Sequence, residues 1–211
     1  MRIASLTILC LALAAVPAFA QWTYENGIPD GTTDAWTINF GFVVSDTFVS
    51  IFGGYAQAGS IYVWAFPGDQ VLSVDFTIST SENGPGIGGT ANVKQTFISS
   101  NQFGYDIDRL DFNIGNIGQL DGNTAYWLNI FNAVVANGDP VFWDENSGAG
   151  CRSRGCPSLA SENSVGTIPS EAFTIFGSES CGGCTTPEPS SILLFGSGIL
   201  GLVGVLRCKL L

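Results

Sequence analysis

The chain has 211 residues, contains no histidine and carries a formal net charge of −11. Without histidine, Ser-His-Asp and Cys-His catalytic arrangements and the common histidine metal sites are excluded. So acidic a chain is also a poor ligand for nucleic acid or an anionic lipid surface, because their phosphates repel it. Abundant aromatic and β-branched residues argue against disorder.

Residues 1–20 have the three parts of a secretory signal peptide. Arg2 supplies the positive charge, residues 3–15 form the apolar stretch, and Ala18-Phe19-Ala20 is a small-x-small cleavage site. The mature protein is therefore predicted to begin at Gln21 and to be exported.

Residues 21–180 are predicted to form one all-β domain. Apolar and polar side chains alternate along several segments, as in Tyr62, Trp64 and Phe66, which is the pattern of a half-buried strand. Turn sequences such as Asp121-Gly122-Asn123 separate these segments, and no stretch has a sustained helical period with caps. Eight or nine short strands predict an antiparallel β-sandwich that is jelly-roll-like. Further strands are predicted at residues 36–44, 47–53, 91–98, 109–117, 140–143 and 172–177.

Carboxylates are the remaining candidates for chemistry, since residues 21–186 hold four basic residues against 17 acidic ones. Trp143, Asp144 and Glu145 are a candidate ligand-binding group, because an aromatic ring beside acids is a common sugar-binding arrangement. The alternative is an acidic turn with a packed tryptophan, since adjacent strand residues point to opposite faces. Glycoside hydrolysis needs only two facing carboxyls, so a carboxylate-only hydrolase stays open.

Asp106 and Asp108 are a candidate for a Ca²⁺ site. Alternate residues of a strand share one face, and carboxylates with loop carbonyls suit this ion. A solvated acidic face beside Arg109 is the alternative. No P-loop, dinucleotide-binding fingerprint or GxSxG motif occurs, so no cofactor is predicted.

Four cysteines lie in the predicted exported part of the chain. An even set in an oxidising compartment favours disulfides, and the close spacings predict the pairs Cys151 with Cys156 and Cys181 with Cys184. Zinc ligation by the four thiolates and a redox-active CxxC are the alternatives. Residues 181–186 are predicted to be a Cys/Gly linker that leads into the tail at residues 187–211.

The tail has three parts in a fixed order. They are Pro187-Glu188-Pro189, an uncharged apolar run of 17 residues from Ser190 to Leu206, and the basic residues Arg207 and Lys209. As a helix the run would measure about 26 Å, near the lower limit for crossing a bilayer. The prolines disfavour helix just upstream, and the basic residues favour a cytoplasmic C-terminus. We therefore predict a single C-terminal transmembrane helix behind an extended, protease-accessible segment.

This tail resembles the PEP-CTERM sorting signal of Gram-negative bacteria, whose bearers are handled by membrane proteases of the exosortase type. The resemblance implies that the helix anchors the protein in the inner membrane during sorting, before it reaches the cell surface or the medium. A plain anchor that is never cleaved is the alternative. The segments DGNTAYWLNIFNAV and GDPVFWDENSG also resemble secreted PEP-CTERM proteins of uncharacterised function. That second resemblance supports the sandwich and implies no activity.

Three classes of function follow. The tail implies an exported surface or matrix protein without catalytic activity, with exosortase and extracellular polysaccharide of a biofilm as its partners. The first alternative is a carbohydrate-binding or Ca²⁺-assisted adhesion module, which exposed aromatic rings would favour. The second is a carboxylate-only glycoside hydrolase, which a cleft with two facing carboxyls would favour.

Overall fold

The computed structural model describes residues 21–179 except 33 and 147, and of residues 116 and 117 it describes the backbone alone. The predicted signal peptide, the linker cysteines Cys181 and Cys184 and the whole tail lie outside the described residues. Within the described part, no helix is long and apolar enough to cross a membrane.

The described residues form an all-β structure, as the alternating sequence pattern predicts. Its strands are β1 (Gln21–Glu25), β2 (Ala35–Thr37), β3 (Val43–Ser50), β4 (Gly54–Ala65), β5 (Val71–Ser79), β6 (Ile87–Ser100), β7 (Asp106–Leu120), β8 (Thr124–Val135), β9 (Phe142–Asp144), β10 (Ala160–Glu162), β11 (Gly166–Ile168) and β12 (Phe173–Ser178).

All strand pairs are antiparallel, and they join into one curled sheet. The hydrogen-bonded order is β1-β12-β4-β7-β6-β5-β8-β3-β10-β11, with β9 paired to both β4 and β2. Strand β6 links the two halves of the sheet. Its residues 87–92 pair with β5, and its residues 93–100 pair with β7. The antiparallel all-β prediction is therefore confirmed, with the sheet continuous through β6.

The two halves of the sheet face each other across one apolar core. Tyr24 of β1 lies 6.0 Å from Phe48 of β3, and Phe76 of β5 lies 5.7 Å from Phe112 of β7, measured between ring centroids. These contacts join strands that are not hydrogen-bonded neighbours in the sheet order. The inward-facing alternate residues of both halves thus build a single core, which removes the larger apolar side chains from water.

The turns predicted from the sequence lie between strands, but one predicted strand is wrong. Asp121-Gly122-Asn123 connects β7 to β8, with Asn123 in the left-handed region at φ 55°. The strand predicted at 36–44 is broken, because Phe40 and Gly41 have φ values of 58° and 89°. An extended strand needs negative φ, so β2 ends at Thr37 and β3 starts at Val43.

Two glycines let aromatic rings lie flat against a neighbouring strand. Gly177 is the cross-strand partner of Trp22, and a Cβ at Gly177 would lie 2.2 Å from the indole ring. Gly59 is likewise the partner of Phe112, and its Cβ would lie 2.6 Å from that ring. Packing therefore requires glycine at both positions.

Candidate functional site

The described residue set with the most unusual chemistry is a group of buried acids where the end of β9 meets the start of β12. The Ala172 N–H donates to the Asp144 carbonyl at 2.8 Å, and the Asn146 N–H donates to the Ser170 carbonyl at 3.0 Å. These two bonds flank the bridge between Glu145 and Glu171. In such a non-hydrogen-bonded pair the two side chains point to the same face and lie close together.

We call Asp46, Asp144, Glu145 and Glu171 the acidic cluster. All four are buried, with 0%, 0%, 3% and 0% of their surface exposed. Acids are almost never this buried unless they are paired. The cluster is therefore the strongest departure of this domain from ordinary core composition.

Asp46 is the best-satisfied member of the acidic cluster. It lies on β3 and accepts hydrogen bonds from the Glu171 N–H at 2.6 Å, from Asn26 Nδ2 at 3.2 Å and from Ser170 Oγ at 3.3 Å. The Ser158 hydroxyl also donates to it. Burial nevertheless raises the pKa of Asp46 to about 8, because the loss of water outweighs these donors.

Glu171 is the least-satisfied member. Neither of its carboxylate oxygens has a hydrogen-bond partner among the described residues. Burial raises its pKa well above the usual range, and the negative charges of Asp46, Asp144 and Glu145 raise it further. A buried carboxylate without a partner is costly, so the bare arrangement around Glu171 is electrostatically unfavourable.

Asp144 points away from Glu145, towards the opposite side of the strand. The Trp64 indole N–H and the Gly31 N–H face its carboxylate and lower its pKa, yet neither makes a hydrogen bond of normal geometry. Burial is the larger effect and, helped by Asp30 and Glu145, raises the pKa of Asp144 to about 7. Asp144 is therefore a second buried acid without a strong donor.

Two buried amides hold the backbone around Glu171. Asn26 Nδ2 donates to Ser170 Oγ at 2.8 Å and to the Glu171 carbonyl at 2.7 Å. Asn146 Nδ2 donates to the same carbonyl at 2.9 Å, and its Oδ1 accepts from the Gly148 N–H at 2.7 Å. The polar network thus fixes the main chain near Glu171 while leaving the carboxylate itself without a donor.

Trp143 cannot be the sugar platform considered from the sequence. Its side chain is fully buried, packs edge-on against Phe173 at 5.7 Å, and donates its indole N–H to the Ala172 carbonyl at 2.9 Å. A ring enclosed in the core has no free face for a ligand. Asp144 and Glu145 are buried too, and they diverge as residues of an extended strand do.

Asp106 and Asp108 are each engaged by a neutral donor. Ser100 Oγ donates to Asp106 at 2.9 Å, and Gln95 Nε2 donates to Asp108 at 2.7 Å. Burial raises the pKa of Asp108, and the negative charge of Asp106 raises it further. In the described part of the chain, no set of three or more acidic or cysteine side chains is already arranged around a point that could hold a metal ion. That finding covers both this pair and the acidic cluster as they stand.

The loop after β9 contains the first predicted cysteine pair. Cys151 and Cys156 are bonded in the structure, with their Cα atoms 5.6 Å apart, a separation typical of disulfides. The same loop reaches the acidic cluster through Ser158, which donates to Asp46. The predicted partner pair, Cys181 and Cys184, lies outside the described residues.

Aromatic rings form a partly exposed patch on the outer side of β4. Trp64 contacts Phe103 at 5.6 Å and Tyr105 at 5.9 Å, and Phe66 contacts Tyr105 at 5.0 Å. Phe103 is 54% exposed and Phe66 39%. The rings of Phe66 and Tyr105 are tilted by 45°, so the patch is not the planar row that a sugar platform uses.

An apolar cavity of about 200 Å³ lies elsewhere, at the start of β6. Ile78, Leu120 and Tyr126 are among its lining residues, and none of these residues is acidic. The cavity therefore does not bring two carboxyls together.

Comparison with known proteins identifies the tail. Residues 185–207 match the PEP-CTERM protein-sorting motif. The chain thus carries the sorting signal of an exported protein, and the predicted Pro187-Glu188-Pro189 tripeptide and Arg207 fall within the match while Lys209 follows it. This tail marks the protein as a substrate of exosortase, a membrane protein. No curated protein matches the chain.

Proposed function

We propose that this protein is an exported, exosortase-sorted cell-surface or extracellular-matrix protein that has no catalytic activity and associates with exopolysaccharide. The observation that carries the proposal is the sorting motif at residues 185–207. In this proposal the sandwich-like domain at residues 21–180 is the cargo. The C-terminal helix holds it in the inner membrane until processing, and the cysteine pairs are oxidised after export.

The geometry of the acids supports a non-catalytic role. Glycoside hydrolases place two carboxyls on opposite sides of an accessible sugar. Here Asp144 and Glu145 diverge and are buried, and the apolar cavity at β6 has no acidic lining residue. The chain also has no histidine to act as a general base.

Mass spectrometry of the released protein tests the sorting proposal. In a host that contains an exosortase, the released protein should end near Pro187 and lack Arg207 and Lys209. Glu188→Ala should leave more protein in the membrane fraction with an intact tail. Glu179→Ala, an acid close by that precedes the motif, is the control and should be released like the wild type. Release of protein that still contains Arg207 and Lys209 would show that the sorting proposal is wrong.

A carbohydrate-binding module is the second candidate. The exposure of the Phe103 and Phe66 rings favours it, whereas their tilted arrangement does not. The full-length chain, purified in a mild detergent, can be screened on a glycan array with and without Ca²⁺. Specific binding that Phe103→Ala weakens would support this candidate. A clean negative result in both conditions would remove it and leave polysaccharide association to other surfaces.

A further inference from the structure

Three members of the acidic cluster, Asp46, Asp144 and Glu171, have no cationic partner within the described part of the chain. Arg109 forms an ion pair with Asp111 at 3.0 Å. The other described basic residues, Lys94, Arg152 and Arg154, are exposed at the surface. None of the described basic side chains is therefore buried next to these three acids.

Protonation alone does not satisfy Glu171. A neutral carboxylic acid still has one O–H donor and an acceptor oxygen, and buried polar atoms of this kind are almost always hydrogen-bonded. Neither oxygen of Glu171 has a partner among the described residues, although the side chain is fully buried. The donors available nearby, Asn26 and Asn146, bind the Glu171 carbonyl instead.

We propose that the acidic cluster binds one hard divalent cation of the Ca²⁺ type, with Glu171 and its cross-strand neighbour Glu145 as carboxylate ligands. The two side chains leave the sheet on the same face, because the bonds that flank them make a non-hydrogen-bonded pair. Asp46 adds negative charge on the same inward side, where it accepts from the Glu171 N–H. The proposal goes beyond sorting and stands independently of it.

The donor chemistry selects the type of ion. The acidic cluster offers carboxylate oxygens, and the hydroxyls of Ser158 and Ser170 lie beside Asp46. The chain offers no imidazole, and Cys151 and Cys156 are bonded to each other. Oxygen donors of this kind suit Ca²⁺ or Mg²⁺ and do not suit Zn²⁺ or Cu²⁺. Mg²⁺ keeps several waters and demands octahedral geometry, so a buried site favours Ca²⁺.

Binding requires a local adjustment. The acids are not already gathered around one point, so the glutamate side chains have to rotate towards the ion. Ca²⁺ accepts six to eight oxygens in flexible geometry, and carbonyls or waters complete its shell. Ser158, in the loop after β9, donates to Asp46, so this loop borders the acidic cluster.

Direct metal analysis tests the site. The full-length chain, purified in a mild detergent and stripped with EDTA, is dialysed against Ca²⁺ and its metal content measured. We expect about one Ca²⁺ per chain and a rise in Tm of ~5–10 °C at 100-fold excess over the Kd. Glu171→Gln should weaken Ca²⁺ binding at least tenfold without lowering the Tm of the metal-free protein. The exposed acid Glu82 gives the control, since Glu82→Gln should bind like the wild type.

The outcomes separate clearly. If Glu171→Gln does not fold, the Ca²⁺ binding of Glu145→Gln and the metal content of the wild type test the proposal instead. Absence of bound Ca²⁺ in the wild type, tighter binding of Mg²⁺ than of Ca²⁺, or unchanged Ca²⁺ binding in both glutamine variants overturns the proposal. Each of these results leaves the sorting of the tail unaffected, so the two proposals fail independently.

Discussion

Asp46 should make the stability of the metal-free protein fall as the pH rises. Its pKa is raised from an ordinary 3.8 to about 8 in the folded state. The folded protein therefore binds this proton more tightly than the unfolded chain does. The stabilisation is fully present below about pH 4, is lost progressively between pH 4 and 8, and does not change further above pH 8.

The size of the effect follows from the shift. About four pH units at 1.36 kcal/mol each correspond to a loss of roughly 6 kcal/mol. Raised pKa values of Glu171 and Asp144 act in the same direction. About 3.5 of these pH units, or ~5 kcal/mol, lie between pH 4.5 and 8. For a domain of this size, each kcal/mol lost lowers the Tm by about 2–4 °C, so a decrease of ~10–20 °C over this range is expected from Asp46.

Thermal melts of the full-length chain in EDTA, followed by tryptophan fluorescence at several pH values, measure the slope of Tm against pH. Asp46→Asn should make this slope less steep. At pH 4.5 the variant should melt below the wild type, because its NH₂ group faces donors such as the Glu171 N–H. At pH 8 it should melt above the wild type, because no buried charge forms. The exposed turn variant Asp121→Asn should keep the wild-type slope.

Three results would refute this reasoning about Asp46. They are a Tm that stays flat between pH 4.5 and 8, a Tm that rises with pH, and an Asp46→Asn variant that keeps the full slope. Either of the first two would mean that the hydrogen bonds to the carboxylate outweigh its loss of hydration. The third would mean that other buried acids cause the pH dependence.

Two further predictions concern covalent and packing features. Replacing both Cys151 and Cys156 by serine should lower the free energy of unfolding by about 2 kcal/mol, since the closed loop is short; thiol titration of the unreduced, unfolded wild type should find neither thiol free. Gly177→Ala should cost about 1–3 kcal/mol, because the new Cβ displaces the Trp22 ring, and an altered tryptophan emission spectrum should accompany the loss. A Cβ at Gly89 would meet no atom within 4 Å, so the control Gly89→Ala should change stability by less than about 0.5 kcal/mol. Equal losses of stability at both glycines would contradict the packing argument.

The strands of this fold can be predicted from the sequence because the patterns that indicate them are local. Alternation such as Tyr62-Trp64-Phe66 and turn sequences such as Asp121-Gly122-Asn123 depend only on neighbouring residues. The break after Thr37 is different. Phe40 adopts a positive φ that its own sequence does not favour, so this turn depends on tertiary contacts.

The acidic cluster could be predicted only in part. Asp144 and Glu145 were candidates from the sequence, but their burial depends on segments far away in the chain. Asp46 was missed, although it lies between Val44 and Phe48 on the inward face of β3, where an acid is out of place. Glu171 similarly precedes the core residue Phe173 by two positions. An acid at an apolar position of the alternation is the signal that would have found both.

The sorting motif of the tail could be predicted more fully than the acidic cluster, because its recognition does not depend on tertiary structure. A proline-flanked acid, an apolar run and basic residues are read by a partner from the chain itself. The prediction of a sorting motif at residues 187–211 agrees with the match at 185–207 for that reason. Ligand preference of the cargo domain depends on surfaces that form only when distant strands meet.

The change of pairing partner along strand β6 affects how the protein resists proteolysis. Its first part is hydrogen-bonded to β5 and its second part to β7, so the change of partner occurs between Asn92 and Val93 in the middle of one strand. Neither half of the sheet can peel away without breaking a strand that also holds the other half. Extracellular proteases cut segments that open locally, and this shared strand leaves large-scale opening to occur mainly as complete unfolding. The connectivity of its own sheet thereby protects the protein against local opening.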